Sequence, residues 1–157
     1  EIRLSLVGSE MCIRDRHSDV PRLIELGTLL HATSSYSTMN FCPDKSAAFL
    51  HELINGQGVV FVAEVRGEVV GGMAGAVTEQ WFSNDLIAYD YSIFVEPSKR
   101  NGVIAVRLIQ TFKEWARIKG AKQIYMGIGT GVSVEGTTRL YESQGLRNIG
   151  PLLMMEI

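Results

Sequence analysis

A chain of 157 residues, 46% hydrophobic and 20% charged, is long enough to bury one core without disulfides or metal and reads as a single globular domain. Its net charge of -2, with no long basic stripe, argues against nucleic acid as a partner, and the lack of a long apolar run argues against a membrane span. Two cysteines, Cys12 and Cys42, have neither CxxC nor histidine-rich spacing, so no disulfide framework or metal site is expected and the cytoplasm is the default compartment.

The first sixteen residues stand apart. Ser5 to Asp15 reads like an in-frame translation of the transposase adapter used to prepare sequencing libraries, whose end, GAG ATG TGT ATA AGA GAC, encodes Glu10 to Asp15. Residues 1–16 are therefore expected to be a non-native leader, leaving 17–157 as the domain. A native first strand at Met11–Arg14 is the alternative. Glu1 and Arg3 precede no sustained apolar region, so no secretory signal is read there.

From Ser18 the pattern turns helical. Ser18 or Asp19 is the N-cap, Pro21 sits in the first turn, and Val20, Leu23, Ile24, Leu26 and Leu30 share a stripe. A second helix is expected from about Asp44 to Ile54, ended by Asn55-Gly56. Between the helices, Tyr36, Met39 and Phe41 stand in a loop that, on the plain reading, they pack down. Two strands follow, Val59–Val65 and Val69 to about Val77, around the hairpin signal Arg66-Gly67-Glu68. The second contains Gly71-Gly72-Met73-Ala74-Gly75-Ala76, small residues that weaken a strand but let a backbone or ligand come close. Thr78 to Leu86 reads as a loop whose Trp81 and Phe82 pack onto the core, with a lid or a dimer contact as the alternative.

The next stretch carries the chemistry. Ile87–Val95 is a strand rich in aromatic and β-branched residues and closed by Pro97, and Val103 to Trp115 is a helix whose Ile104, Leu108, Ile109, Phe112, Trp115 and Ala116 form its apolar face. Between them stand Lys99, Arg100, Asn101 and Gly102. A helix start exposes unpaired N–H groups and a partial positive charge, so two cations and a glycine just before it make a site suited to a phosphate or pyrophosphate. An ordinary solvated turn is the plain alternative.

Gly120 closes that helix, and Gln123–Gly127 makes a short strand. The glycine-rich Gly127–Gly131 is by itself a weak phosphate signal. A last helix runs from about Ser133 or Glu135 to Ser143, with Gly145 as its C′ residue, and Leu152–Ile157 is expected to form a final strand. This order of elements is α/β, with a mixed sheet and helices on both faces.

Val95-x-Pro97-x-x-Arg100-Asn101-Gly102-x-x-Ala105, followed by Arg107-Leu108-Ile109 and Phe112-x-x-Trp115-Ala116, resembles the acetyl-CoA-binding segment of the GNAT family of N-acyltransferases. Glu135-x-Thr137-x-x-Leu140-Tyr141-Glu142-x-x-Gly145-Leu146 resembles that family's second segment. The family's turn has Arg or Gln, then Gly three residues on, then Gly or Ala two further. Anchored on Arg100, Ala105 fits and Val103 replaces the glycine; anchored on Lys99, Gly102 fits and Ile104 does not. The Arg100 register is preferred.

The resemblance implies a single-domain GNAT-like fold with a mostly antiparallel sheet, in which the loop of Tyr36, Met39 and Phe41 would border the acceptor cleft and shape specificity. It implies acetyl-CoA as acyl donor, bound by Phe94, Val95, Arg100, Asn101, Gly102, Val103, Ile104 and Ala105. Transfer would run directly to a primary amine, a small molecule or a peptide, in a ternary complex, with a homodimer as a possible assembly. Tyr141 would donate to the CoA thiolate and Asp90 would be the base, with Glu79 in reserve. Simple alternation puts Asp90 on one strand face with Ser92 and Phe94, opposite Tyr89, Tyr91 and Ile93. A solvent-facing structural Asp90 and a Tyr141 ring that merely caps the core are the bland readings. A catalytically weak or inactive CoA-binding protein is the alternative function. An unrelated nucleotide-binding domain is disfavoured, since neither a Walker Lys-Ser/Thr nor a strand-first GxGxxG is present.

Overall fold

The computed structural model describes residues 11–14, 16–56, 58–100 and 102–157. Its main elements are β1 (Met11–Arg14), α1 (Val20–Thr33), α2 (Pro43–Asn55), β2 (Gly58–Val65), β3 (Glu68–Gln80), β4 (Ser83–Val95), α3 (Val103–Ile118), β5 (Gln123–Tyr125) and α4 (Val134–Ser143). The sheet has the order β1-β2-β3-β4-β5, antiparallel throughout except for the parallel pair β4–β5. This is the expected α/β arrangement with a mixed, mostly antiparallel sheet.

Residues 1–10 and 15, which make up most of the expected leader, lie outside the described residues. The backbone of Met11–Arg14 pairs with β2, from Met11↔Val65 to Arg14↔Val62. Ladder bonds join main-chain groups, so this edge pairing asks little of side-chain identity.

Strand alternation builds two cores. Val59, Phe61 and Ala63 of β2 face α3 and join Leu108, Phe112 and Trp115, whereas Val60 with Ala74 and Ala76 packs under Leu50, Leu53 and Ile54 of α2. The small residues of β3 serve this layering. A side chain on Gly75 would come within 2.5 Å of the Phe112 ring on one face, and one on Gly72 within 2.6 Å of Leu23 on the other. The close approach anticipated from the sequence is made here by helix side chains.

The β2–β3 turn is tight because Arg66 and Gly67 both take positive φ, 52° and 85°, as a two-residue hairpin turn requires. Two expectations are corrected. Thr78–Leu86 is no loop: β3 and β4 run on through Thr78↔Ile87 to Gln80↔Ser83. Trp81 and Phe82 occupy the turn, 90% and 69% exposed, and contact each other edge to face rather than the core. Leu152–Ile157 forms no strand. No described strand pairs with that segment, so its backbone gains no ladder, and it is exposed along its length.

Candidate active site

β4 and β5 run side by side for three pairs, Ile87↔Gln123, Ala88↔Ile124 and Tyr89↔Tyr125, and then separate. Beyond Tyr89 that edge of β4 opens onto a cavity of about 290 Å³, walled by the start of α3, by the loop after β5 and by α4. Asp90 stands where the strands part, and its Oδ1 accepts a hydrogen bond from the Gly127 N–H at 3.2 Å. Burial pushes the Asp90 carboxyl up to about 6, against the pull of the Gly127 and Asp90 backbone N–H groups.

Alternation along β4 does not hold. Ser92 pairs with Ala74 and Asp90 with Gly75, so β4 carries one extra residue, Tyr91, in a bulge. An extra residue reverses the parity of everything beyond it. Ile93 and Val95 therefore pack with Ala88 in the α3 core, while Ser92 and Phe94 join Tyr91 on the side of α1 and α2. The expected grouping of Asp90 with Ser92 and Phe94 is thus overturned: Asp90 pairs with Gly75, whose missing side chain faces Phe112 of α3.

Tyr141 reaches the same cavity from α4, 6% exposed. Its helix ends as the sequence predicts, with Gly145 at φ 89° and the Leu146 N–H on the Tyr141 carbonyl at 3.1 Å. Burial, and after it the charge of Asp90, raise the phenol above its ordinary range.

At the far end of the cavity the Arg100 Nε donates to the Val95 carbonyl at 2.8 Å, and the guanidinium carbon lies 5.3 Å from the centroid of the Phe94 ring. Gly102 takes φ 86° as the residue before α3, and among the described residues no atom beyond its chain neighbours lies within 4 Å of the place a Cβ would occupy. Of the eight expected cofactor residues, Phe94, Val95, Arg100, Gly102, Ile104 and Ala105 line this cavity. Asn101 lies outside the described residues. Val103 is not in the wall; its side chain is half exposed.

A second cavity, of about 370 Å³, lies between α1, α2 and the sheet. The two share a wall made by Leu30, Tyr36, Tyr91, Ser92, Phe94 and Thr130. Tyr36 and Phe41 line the second cavity, whereas Met39 is 59% exposed and lines neither. The glycine-rich loop holds the wall together: the Ser35 N–H donates to Thr130 O at 2.8 Å, the Ser35 hydroxyl donates to Gly129 O at 2.6 Å, and the Tyr36 hydroxyl occupies the space a side chain on Gly129 would need.

Glu79, the reserve base, is exposed near the turn end of β3 opposite Leu86 and lines neither cavity. Leu30, Ser92 and Thr130 are wall residues that the sequence reading missed. Ser92 was within reach of a bulge assignment, but Leu30 and Thr130 meet across about a hundred residues of chain and carry no local signal.

No curated relative matches the chain in sequence. In fold it is similar to an aminoglycoside acetyltransferase from an uncultured soil metagenomic sample, at 25% identity and a TM-score of 0.70, over 94% of this chain and 95% of that one. The aminoglycoside N-acetyltransferase AAC(6')-Iy in complex with CoA is similar at 18% identity and a TM-score of 0.75, over 98% and 99%. A transcriptional regulator from Bacillus halodurans C-125 superposes equally well, with a TM-score of 0.76 at 17% identity over 94% and 99%, so likeness at this level speaks for the fold. The family model described as the acetyltransferase (GNAT) family matches residues 27–146, most of the chain, and the protein belongs to that family.

Proposed function

We propose that this acetyltransferase moves an acetyl group from acetyl-CoA to a primary amine by direct transfer in a ternary complex. The observation that carries the reading is the pair of cavities meeting at one wall where β4 parts from β5, with Asp90 and Tyr141 in the first. Such a wall lets two substrates meet without a covalent enzyme intermediate.

The first cavity fits the donor. Gly102 leaves the approach to the α3 N-terminus open, Arg100 is anchored beside it, and the half-exposed Val103 side chain takes no part in the wall, so the residue standing where the family has glycine does not fill the cradle. Arg100, Gly102 and the backbone of Val103 to Ala105 would hold the pyrophosphate. Acetyl-CoA supplies an activated acetyl thioester. Backbone groups of the uncovered β4 edge at Phe94 and Val95 would bind the pantetheine arm and offer donors to the carbonyl oxygen.

Asp90, with its carboxyl near 6, is mostly ionised at neutral pH yet basic enough to take a proton from the attacking amine, directly or through water. The carbon–nitrogen bond forms as the carbon–sulfur bond breaks, and Tyr141 donates a hydrogen bond to the sulfur as charge leaves on it. The acceptor is a small-molecule or peptide amine; the aminoglycosides named for proteins of similar fold are one class to include. Mass spectrometry of a panel of primary amines with acetyl-CoA tests the reading. Acetylated product that needs the protein upholds it. CoA binding without transfer to any amine would leave a CoA-binding protein, and no CoA binding would remove the reading altogether.

A further inference from the structure

The second cavity says what kind of amine it accepts. No Asp, Glu, Lys or Arg is among its described lining residues. Its body is apolar, with Leu23, Leu26, Phe41, Leu50 and Met73 in the wall and Phe49 set edge to face on Tyr91, ring centroids 4.7 Å apart. An ammonium placed there would lose its hydration with no carboxylate to replace it. Among the described lining residues of the two cavities the carboxylate is that of Asp90, which lines the first.

Gly27 adds an independent observation. It lies in the middle of α1 and lines this cavity, and outside its own helix a Cβ there would meet only the Phe41 ring edge, at an ordinary 3.7 Å. Glycine is among the least favourable residues of a helix interior, and neither packing nor backbone conformation demands it here. What its missing side chain preserves is the volume of the cavity.

We infer that the acceptor site takes a monoamine with an apolar, aromatic-sized body, the body held between α1, α2 and β4 and the single amino group at the shared wall facing Asp90. This rests on the acetyl-transfer reading for the fate of the amino group, but the binding of the body stands apart from it. A polycationic amine is disfavoured because the described lining offers its further ammonium groups hydroxyls and the His31 ring but no carboxylate.

Calorimetry of the full chain with 2-phenylethylamine, with and without CoA, tests the inference, alongside kanamycin as the polycation and Gly27→Leu as a variant that fills the cavity. Gly27→Leu is expected to fold, to bind CoA as the parent does, and to bind 2-phenylethylamine at least tenfold more weakly, with kanamycin bound more weakly than 2-phenylethylamine by the parent. No binding of 2-phenylethylamine, binding unaffected by Gly27→Leu, or a preference for kanamycin would each overturn it. Should Gly27→Leu fail to fold, Phe49→Ala, at a position 36% exposed, takes its place with the same outcomes read. Acetyl transfer measured in parallel separates the two readings. Amine binding without CoA binding or transfer would sink the enzyme and keep the pocket, while transfer to kanamycin alone would do the reverse.

Discussion

Asp90 and Tyr141 line one cavity, the first on β4 where it parts from β5 and the second on α4, and the charge of the first raises the pKa of the second. Each is shifted mainly by burial, the carboxyl upward toward neutrality and the phenol away from it. The two groups are thereby pushed apart in role: the carboxylate is the better proton acceptor, and the phenol stays protonated as a donor.

For Asp90 the pH dependence follows from the direction of its shift. A carboxyl raised from 3.8 to about 6 favours the fold most below the unfolded value, and that contribution is lost as pH rises through about 6. Above it the folded state holds a costly carboxylate, by about 3 kcal/mol from the separation of the two values. Asp90→Asn keeps an oxygen for the Gly127 N–H and removes the charge, so its melting temperature is expected to exceed the parent's at pH 8 and to match it at pH 4. Turnover is expected to fall on the order of 10²-fold, with the parent-to-variant rate ratio shrinking as pH falls through 6. A ratio independent of pH between 5 and 8 would remove Asp90 as the base.

Arg100, in the wall of the same cavity, is held by Val95 and stacked on Phe94. If it meets the pyrophosphate, Arg100→Glu replaces a charge-assisted hydrogen bond by repulsion, and CoA affinity is expected to drop by at least the 1.5–3 kcal/mol roughly typical of such a bond. Circular dichroism establishes that the variant folds, and calorimetry reads the affinity. Unchanged CoA binding in a folded Arg100→Glu protein would remove the site.

The expected leader is decided outside the protein. Coding DNA that reads GAG ATG TGT ATA AGA GAC across Glu10 to Asp15 is the predicted outcome, and synonymous differences from it would make Met11–Arg14 a native strand. Its backbone pairing with β2 does not decide the point, because an edge ladder is made by main-chain groups.

Local chemistry made much of this fold readable. Pro21 and Gly145 mark helix ends by what their backbones allow, and the face of α3 from Ile104 to Ala116 is buried as its spacing requires. The failures share one cause. The parity of β4 turns on a bulge at Tyr91, the burial of Trp81 and Phe82 on where a hairpin turns, and the strand at Leu152–Ile157 on whether a neighbour pairs with it. All three are set by partner strands. The cavity wall at Arg100, Gly102, Ile104 and Ala105 was legible because a helix start is a local feature, whereas the wall of Leu30, Ser92 and Thr130 exists only after distant segments meet.

Tyr141 gives the sharpest separation between a catalytic and a merely packed ring. The thiolate of CoA has the proton affinity of an ordinary thiol, near 8.5, while the Tyr141 phenol lies above its usual value of about 10. Full proton transfer from phenol to thiolate is therefore uphill, and in the proposed mechanism the oxygen would act by donating a hydrogen bond to sulfur as charge develops. A hydrogen bond to a charged group is worth about 1.5–3 kcal/mol, which converts to a fall in turnover on the order of 10²-fold at most when the oxygen is removed. Tyr141→Phe keeps the ring that fills the end of α4, so stability and acetyl-CoA affinity are expected to change little. Transfer kinetics with an acetylated amine, compared at pH 7 and pH 9, read the effect, and the loss is expected at both because the parent phenol is protonated throughout. A Tyr141→Phe enzyme that turns over as the parent does would reduce this residue to packing and leave Asp90 and the β4 edge to account for catalysis alone.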